Sequence, residues 1–321
     1  MKKRQRGFKK PKQKFFYKSD IFTSRIASVL KMPQSKVKGL LFQSNLYAVK
    51  FVFREAKAFL KNYDFKPVSW AKDTYLVSRK DFVLLKKTKE YASGYFYIQN
   101  LAELLGTTIL NPKPSNKVLD MYSGESTLNI STAMRNQGLI IANCDEELES
   151  FEEMLHKYKI RNAEVSSKLG EDLDKEYGEE FDRVLLNAPC SREGIVHFSQ
   201  KRPLKNWSIQ KTKALSKLQK RLISTAFKCL KKGGLLVYAT TTISPNENEE
   251  VVSYLLNGNT NAVLEKINIL EENNFKEYKP FIKKGLKFWN NDTYHPDIEK
   301  TIRTIPGKTM HGTYIALIRK A

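Results

Sequence analysis

The sequence predicts an α/β protein in which a doubly wound, mostly parallel sheet forms the main domain and a small α+β module precedes it. Two observations support the sheet. From Lys117 onward, short apolar runs of strand length alternate with longer segments of helical periodicity, an order typical of parallel strands covered by helices on both faces. Several of these runs also end in polar or glycine-containing turns. Ligands of such sheets bind at the carboxyl ends of the strands, so a functional site is expected at these turns.

The N-terminus is predicted to be a disordered basic arm over residues 1–19. Residues 1–18 contain nine Lys or Arg and no acidic residue, with aromatic residues among them. The segment lacks the apolar core of a signal peptide. Blocks of like charge repel one another and are typical of interaction tails.

The module that follows is predicted over residues 20–110. Apolar residues recur at helical spacing between residues 20 and 62, where helices are expected. Two β-rich runs, Thr74–Val77 and Phe82–Leu85, flank a polar tetrapeptide and predict a hairpin. The run Gly94–Gln99 and a short helix to about Leu110 complete the module.

The main domain is predicted over residues 111–321, because Pro112 and Pro114 punctuate the chain at its start. Its expected strands are Val118–Asp120, Leu139–Ala142, Arg183–Leu186 and Leu235–Tyr238, and its expected helices cover 128–136, a segment ending near 158, 211–230 and 246–256.

The net charge of +22 over 321 residues indicates a polyanionic partner, and nucleic acid is favoured over a membrane surface. No acidic residue occurs from Gly194 to Asn246, where basic residues cluster. A lysine-rich surface without such a partner is the alternative. The candidate nucleic-acid contacts are Lys201, Arg202, Lys205, Lys211 and Lys213.

Composition also indicates the cellular compartment in which the protein is expected. The three cysteines have unrelated spacing, which fits a reducing environment and predicts neither disulfides nor a zinc site. No apolar run reaches the length of about 18 residues that a membrane span requires. We expect a cytoplasmic protein, or a mitochondrial or nucleolar one if the source is eukaryotic, without membrane or metal.

Two loops carry the most specific pattern. Residues 181–191 read Phe-Asp-Arg-Val-Leu-Leu-Asn-Ala-Pro-Cys-Ser, and residues 233–249 read Gly-Gly-Leu-Leu-Val-Tyr-Ala-Thr-Thr-Thr-Ile-Ser-Pro-Asn-Glu-Asn-Glu. Together they resemble the two active-site loops of the RNA cytosine-5 methyltransferases. The segments Gly94–Gln99 and His311–Ala316 resemble the same family, so the resemblance covers about residues 90–320.

The resemblance implies a class I methyltransferase (Rossmann-like) domain that uses S-adenosylmethionine and acts on structured RNA, either rRNA or tRNA. A ribosomal assembly particle is a further candidate partner, and a monomer is expected. The N-terminal module would then bind RNA, as would the basic residues named above.

In the family, a strand ending in Asp and a turn of small residues cradle the cofactor, because its backbone must approach the ligand closely. The same region here reads Asp-Met-Tyr-Ser-Gly-Glu-Ser and lacks the family's lysine, so a purely structural turn is the alternative. In the family, an acidic residue at the end of the second strand binds the ribose hydroxyls of the cofactor. The resemblance places this position at Asp145 or at Cys144. The cofactor-binding residues that the resemblance implies are Asp120, Gly124, Ser126, Asp145 and Asp172.

The catalytic positions depart from the family. Its second loop supplies a cysteine that attacks C6 of cytosine, and this position holds Thr241. A threonine hydroxyl is far less acidic than a thiol and needs an adjacent base. The family's base-recognising Asp is Asn187, which bonds a base edge but accepts no proton. Cys190 is retained and corresponds to the cysteine that assists product release.

We therefore expect an RNA-binding member of the family with impaired or lost catalysis, a pseudoenzyme. An active RNA cytosine-5 methyltransferase with Cys190 as its nucleophile is the alternative, since DNA cytosine-5 methyltransferases attack from their Pro-Cys loop. A methyltransferase of another specificity is a third, because Asn-Ala-Pro-Cys is distantly similar to the Asn-Pro-Pro loop of amino-group methyltransferases.

Overall fold

The computed structural model describes residues 11–42, 46–52, 61, 63–144 and 148–321. The described strands are β1 Tyr47–Phe51, β2 Lys66–Pro67, β3 Thr74–Val77, β4 Phe96–Gln99, β5 Lys117–Asp120, β6 Leu139–Asn143, β7 Ala163–Ser166, β8 Phe181–Asn187, β9 Leu230–Thr240, β10 Ala262–Leu264, β11 Ile282–Lys284, β12 Phe288–Trp289, β13 Asp292–Thr293, β14 Ile302–Thr304 and β15 Tyr314–Lys320. The α-helices are α1 Pro11–Leu30, α2 Gln34–Leu40, α3 Arg79–Leu85, α4 Lys89–Ala92, α5 Leu101–Leu110, α6 Glu125–Ala133, α7 Leu148–Lys157, α8 Leu173–Tyr177, α9 Ile209–Lys228 and α10 Glu249–Gly258.

The large sheet has the strand order β11-β14-β15-β9-β8-β5-β6-β7, with β10 also paired to β15. The five strands from β9 to β7 are mutually parallel, and β15 runs antiparallel to β9. The predicted α/β fold with a doubly wound, mostly parallel sheet is confirmed. Strand order reverses between β5 and β8, which places the expected ligand site at the carboxyl ends of these strands.

Helices cover both faces of the sheet. On one face α1, α2, α9 and α10 pack with inward side chains such as Leu119, Leu186 and Leu236. On the other face α5, α6 and α7 pack with residues such as Val118 and Leu185. Because successive side chains of a strand point to opposite faces, a strand buried on both sides has a continuous apolar sequence, as the sequence showed.

A separate antiparallel sheet, in the order β2-β3-β1-β4, forms the N-terminal module. Its aromatic core contains Phe51 and Phe96, whose ring centroids are 5.4 Å apart. The module boundaries at residues 20 and 110 stay a prediction. In the fold, α1 and α5 both pack against the large sheet.

Three sequence-based expectations are corrected here. Residues 11–19 of the expected disordered arm are helical within α1, and residues 1–10 lie outside the described residues. The helical pattern expected over residues 20–62 includes strand β1, which pairs with both β3 and β4. The expected second strand of the hairpin at Phe82–Leu85 is part of α3.

The helical start at α3 has a local cause. Ser78 is its N-cap, and the Ser78 hydroxyl oxygen accepts a hydrogen bond from the Asp81 backbone N–H at 3.2 Å. The Ser78 hydroxyl in turn lies 2.7 Å from the Asp81 carboxylate. This capping satisfies backbone groups that a helix start leaves unpaired, and it outweighs the β-propensity of the apolar run.

Candidate active site

The two motif loops meet at the carboxyl ends of β8 and β9. These strands are parallel neighbours, and Asn187 is in register with Ala239. The loops that follow therefore face each other, and Cys190 Sγ lies 3.4 Å from Thr241 Oγ1. The structure thus brings together the three residues that the sequence assigned to catalysis: Asn187, Cys190 and Thr241.

Backbone hydrogen bonds clamp the loops in this position. Gly194 N–H donates to the carbonyl of Thr241 at 3.0 Å, and Gly312 N–H donates to the carbonyl of Gly194 at 2.9 Å. A Cβ atom on Gly194 would lie 1.7 Å from the Gly312 carbonyl oxygen. Only glycine permits this approach, so the clamp depends on residue 194 having no side chain.

A buried carboxylate ties the same loops together through side chains. Glu247 Oε2 accepts from the Ser191 N–H at 2.8 Å, and Glu247 Oε1 accepts from the Ser191 hydroxyl at 2.5 Å. Gln219 Nε2 donates to Glu247 Oε2 at 3.2 Å. Burial raises the pKa of Glu247 to about 7, although the bonds from Ser191 counteract this and the neighbouring Glu193 adds to it.

The surroundings of Cys190 disfavour its thiolate form. Burial raises the pKa of Cys190 above its ordinary value, and the charge of Glu247 raises it further, while the bond to Thr241 opposes both effects. A thiol with a raised pKa supplies little thiolate near neutral pH, and thiolate is the nucleophilic form. Among the described residues, the side-chain hydrogen-bond partner of Thr241 is Cys190, which is not a base.

The N-terminal helix contributes to the site from outside the motifs. Arg25 Nη2 donates to Ser244 Oγ at 2.9 Å and to Asn246 Oδ1 at 3.0 Å. Arg25 Nε also lies 3.7 Å from Glu193 Oε1, a buried carboxylate that accepts from Trp207 Nε1 at 2.8 Å. These contacts join α1 to both active-site loops.

The cofactor side of the site begins at the end of β5. Asp120 is fully buried, and its Oδ2 atom accepts from Ser126 Oγ at 2.7 Å and from Thr127 Oγ1 at 2.8 Å. Burial raises the pKa of Asp120 to about 6, although both hydroxyl bonds act against it. Its Oδ1 atom is buried and has no hydrogen-bond partner in the described part of the chain.

An open cavity of about 210 Å³ adjoins this loop and reaches two of the three predicted catalytic positions. Its walls include Gly124, Ser126, Asn187 and Thr241, so two predicted cofactor residues and two predicted catalytic residues share one space. A Cβ atom on Gly124 would meet nothing within 4 Å. Tyr122 also lines the cavity without closing it.

Asp172, another predicted cofactor residue, is not among the residues that line this cavity. Asp172 precedes α8, and its Oδ1 atom accepts from Lys175 Nζ at 2.5 Å at the surface. Cys144 is buried after β6, and Asp145 lies outside the described residues. The Tyr122 hydroxyl oxygen would be 2.9 Å from a Cβ on Gly170, so this ring reaches toward the segment before Asp172.

The polar groups and open space around this cavity fit S-adenosylmethionine. The unpaired Asp120 Oδ1, the open space over Gly124 and the Ser126 hydroxyl are suited to a polar ligand that approaches the backbone. Asp120, Gly124 and Ser126 would hold the cofactor, which supplies a methyl group activated for transfer. Asn187 and Thr241 would then line the reaction space.

The predicted RNA contacts are all at the surface. Lys201, Arg202 and Lys205 are exposed in the segment before α9, and Lys211 and Lys213 are exposed on its first turns.

Within the described ranges, no cluster of three or more His, Cys, Asp or Glu side chains could hold a metal ion. No helix in those ranges combines the length and apolarity needed to cross a bilayer.

Sequence reasoning missed several residues of the site. Glu247 lies within the second motif and Glu193 follows the first motif by two residues, and these positions were the available signal. Arg25 and Glu103, which also lines the cavity, come from α1 and α5. Nothing in the local sequence separates these two from other surface charges.

Comparison with known proteins identifies the family to which the chain belongs. Residues 107–319 match the model of the 16S rRNA methyltransferase RsmB/F family. The chain is 36% identical over 274 residues to the tRNA (cytosine(49)-C(5))-methyltransferase of Pyrococcus abyssi, a match that covers 83% of this chain and 84% of that protein. It is 37% identical over 208 residues to the ribosomal RNA small subunit methyltransferase F of Shewanella loihica, over 61% of this chain and 42% of that protein.

Two solved structures share the fold. A methyltransferase homolog protein from Pyrococcus horikoshii superposes with a TM-score of 0.71 at 25% identity, over 92% of this chain and 90% of that chain. NSun6 from Pyrococcus horikoshii, solved with SFG, superposes with a TM-score of 0.72 at 17% identity, over 93% of this chain and 97% of that chain.

The domain thus has the class I methyltransferase fold, and the chain belongs to the RNA cytosine-5 methyltransferase family. The predicted family is confirmed, and S-adenosylmethionine is its cofactor. The chain spans less than half the length of the rRNA methyltransferase F relative.

Proposed function

We propose that this protein is an RNA-binding member of the RNA cytosine-5 methyltransferase family in which covalent catalysis is lost or strongly impaired. The observation that supports this most directly is the pair formed by Thr241 and Cys190. An oxygen stands where the family has its attacking sulfur, and its partner is a thiol with a raised pKa.

The chemistry explains the consequence. Cytosine C5 is a poor nucleophile, and the family activates it by adding an anionic nucleophile to C6. A hydroxyl becomes such a nucleophile only with a base beside it, and Thr241 has Cys190 as its side-chain partner in the described chain. Asn187 cannot accept a proton in place of the family's Asp.

The proposed ligand is structured RNA, with tRNA favoured over rRNA. The net charge of +22 supports a polyanion. The match to the tRNA methyltransferase covers 84% of that protein, whereas the match to the rRNA methyltransferase covers 42%. We propose Lys201, Arg202, Lys205, Lys211 and Lys213 as RNA contacts, and a ribosomal assembly particle as the setting if the ligand is rRNA. We further propose that the protein acts in the cytoplasm as a monomer.

A second candidate is an active enzyme with Cys190 as the nucleophile. The position of Cys190 Sγ beside Thr241 favours it, since the sulfur lies 3.4 Å from the family's attacking position. The raised pKa of Cys190 argues against it, because attack requires the thiolate.

Trapping with 5-fluorocytidine-substituted tRNA and S-adenosylmethionine tests both candidates, since a covalent adduct with this base survives denaturing electrophoresis. The wild-type protein is expected to form no adduct while it still binds the RNA. Thr241→Cys restores the family's nucleophile and is the matched comparison. An adduct in the wild-type protein at Thr241 would refute the proposal, and one abolished by Cys190→Ser would establish the second candidate instead.

A further inference from the structure

A second concave surface lies between α9, α10 and the β12–β13 hairpin. This groove has a volume of about 800 Å³ and shares no lining residue with the 210 Å³ cavity. The family motifs do not account for its lysines or its exposed aromatic ring. We name it the α9–α10 groove, and its walls include Lys213, Lys217, Lys220, Tyr254 and Asn291.

One wall of the groove is a row of cations. Lys213, Lys217 and Lys220 follow one another at spacings of four and three residues on α9, which places them on one face of the helix. Lys220 Nζ pairs with Glu250 Oε1 at 2.7 Å. The negative charge of Glu250, which also lines the groove, is therefore balanced by Lys220. Lys213 and Lys217 are exposed, and no carboxylate of the described residues forms an ion pair with either.

An exposed aromatic ring stands beside these cations. Tyr254 on α10 is 50% exposed, and Lys220 Nζ lies 5.6 Å from its ring centroid. Asn257, one turn further along α10, and Asn291 in the hairpin also line the groove. Their side-chain amides offer both donors and acceptors to a base edge.

We propose that the α9–α10 groove binds a single-stranded segment of RNA, a proposal that rests on the RNA binding proposed above. Phosphates would follow the lysine row on α9, and one base would stack on Tyr254. A positively charged groove with an exposed aromatic ring is the arrangement that holds unpaired nucleotides, because every base has a face that can stack. In a duplex these faces are covered by neighbouring bases, so the ring would find no partner.

The wall opposite α9 supports the placement of the phosphates along the lysine row. Asp292 in the hairpin lines the groove and is exposed, so it disfavours phosphate on that side. The predicted contacts Lys211 and Lys213 lie on the first turns of α9. The lysine row therefore extends the predicted basic surface into the groove.

The test is fluorescence anisotropy of the full chain with a labelled, unstructured pyrimidine oligonucleotide and with an RNA duplex of matched length. Tyr254→Ala is expected to weaken binding of the single strand about tenfold, whereas Tyr254→Phe, which keeps the ring, retains wild-type affinity. Lys217→Gln is expected to weaken it several-fold and to lower the slope of affinity against salt concentration by about one ion. Lys232→Gln is the control. Lys232 is exposed near the N-terminal end of β9 and does not line the groove, so this change should leave the affinity for the single strand unaltered.

The outcomes separate this proposal from the proposed function. If the wild-type protein binds tRNA but Tyr254→Ala and Lys217→Gln bind the single strand unchanged, the groove proposal is wrong and RNA binding stands. Equal losses on the duplex and the single strand would also overturn it, because the groove would then not select unpaired RNA. If the wild-type protein binds no RNA at low salt, both proposals fail. Thermal unfolding of each variant shows whether a loss reflects unfolding.

Discussion

At the scale of single residues, the pair of Cys190 and Thr241 determines what chemistry the site can perform. Here a thiol with a raised pKa and a hydroxyl lie 3.4 Å apart, and neither takes a proton from the other near neutral pH. The pair is polar and close, but it has no base.

The pH dependence of Cys190 alkylation follows from its raised pKa. We expect iodoacetamide to modify this thiol slowly at neutral pH, and the rate to keep rising beyond about pH 8.5, the ordinary thiol pKa. Mass spectrometry of the labelled peptide measures the rate. Cys190→Ser gives the background, because Cys144 and Cys229 are buried. A rate that levels off below pH 8 would show an accessible thiolate and revive Cys190 as a nucleophile.

The backbone clamp predicts a large cost for a single methyl group. Gly194→Ala places Cβ against the Gly312 carbonyl and is expected to destabilise the protein by about 1–3 kcal/mol or more. Gly39→Ala is the control, since a Cβ there meets nothing within 4 Å and helix propensity favours it by about 1 kcal/mol. Urea unfolding measures both. Equal stability of the two variants would mean that the loops can move apart freely.

Motif reading predicted the catalytic residues but not what surrounds them. Asn187, Cys190 and Thr241 follow adjacent parallel strands, so their proximity follows from strand order. The partners of Glu247 and Arg25 depend on side-chain packing between segments far apart in the chain. No local periodicity or spacing encodes such contacts.

At the scale of secondary-structure elements, α1 is attached to the active site through one arginine. The Arg25 guanidinium carbon lies 4.4 Å from the Trp289 ring centroid, in addition to its contacts with Ser244, Asn246 and Glu193. One side chain therefore touches both catalytic loops and the β12–β13 hairpin.

Removing this attachment should destabilise the protein. Arg25→Ala leaves Glu193 buried without its cation, and we expect a loss of about 3 kcal/mol in the free energy of unfolding. Lys38→Ala is the matched control, because Lys38 pairs with Asp20 at 2.7 Å on the surface and such pairs contribute at most about 1 kcal/mol. Chemical denaturation compares the two. A similar small effect for both variants would contradict a role for Arg25 in holding α1.

Hydrophobic periodicity was sufficient to predict some of the secondary-structure elements but not others. The four strands and four helices predicted after Lys117 all occur in that order, because each has apolar residues on the face that it buries and ends near a glycine or polar turn. The same patterns did not predict β7, α8 or the strands β10 to β13. In the N-terminal module, Phe82–Leu85 has strand-like composition, but the Ser78 cap makes it helical. The strand β1 is short and pairs with strands distant in sequence, which local pattern cannot reveal.

At the scale of the whole molecule, Glu247 links stability to pH. Its pKa is about 7 in the folded protein, against an ordinary 4.5. Between these values the folded state binds more protons than the unfolded state, so the contribution of Glu247 to stability falls as pH rises through this window. The opposite shift at His311, whose pKa burial lowers to about 4, partly masks the effect in the total curve.

The variant Glu247→Gln isolates the contribution of Glu247 to the pH dependence of stability. The free energy of unfolding of the wild-type protein minus that of Glu247→Gln is expected to decrease by about 3 kcal/mol as pH rises from below 4.5 to above 7. Urea unfolding at several pH values gives this difference. A difference that is constant or that grows with pH would show that Glu247 is ionised in the folded state at lower pH.

The clamp between Gly194 and Gly312 has a further consequence for how this protein can change. The clamp holds residue 241 by its backbone carbonyl, so the identity of the side chain at this position is not needed for that contact. Chemistry and architecture can therefore vary separately at this position. A lineage could exchange sulfur for oxygen here, or reverse the exchange, without rebuilding the scaffold around it.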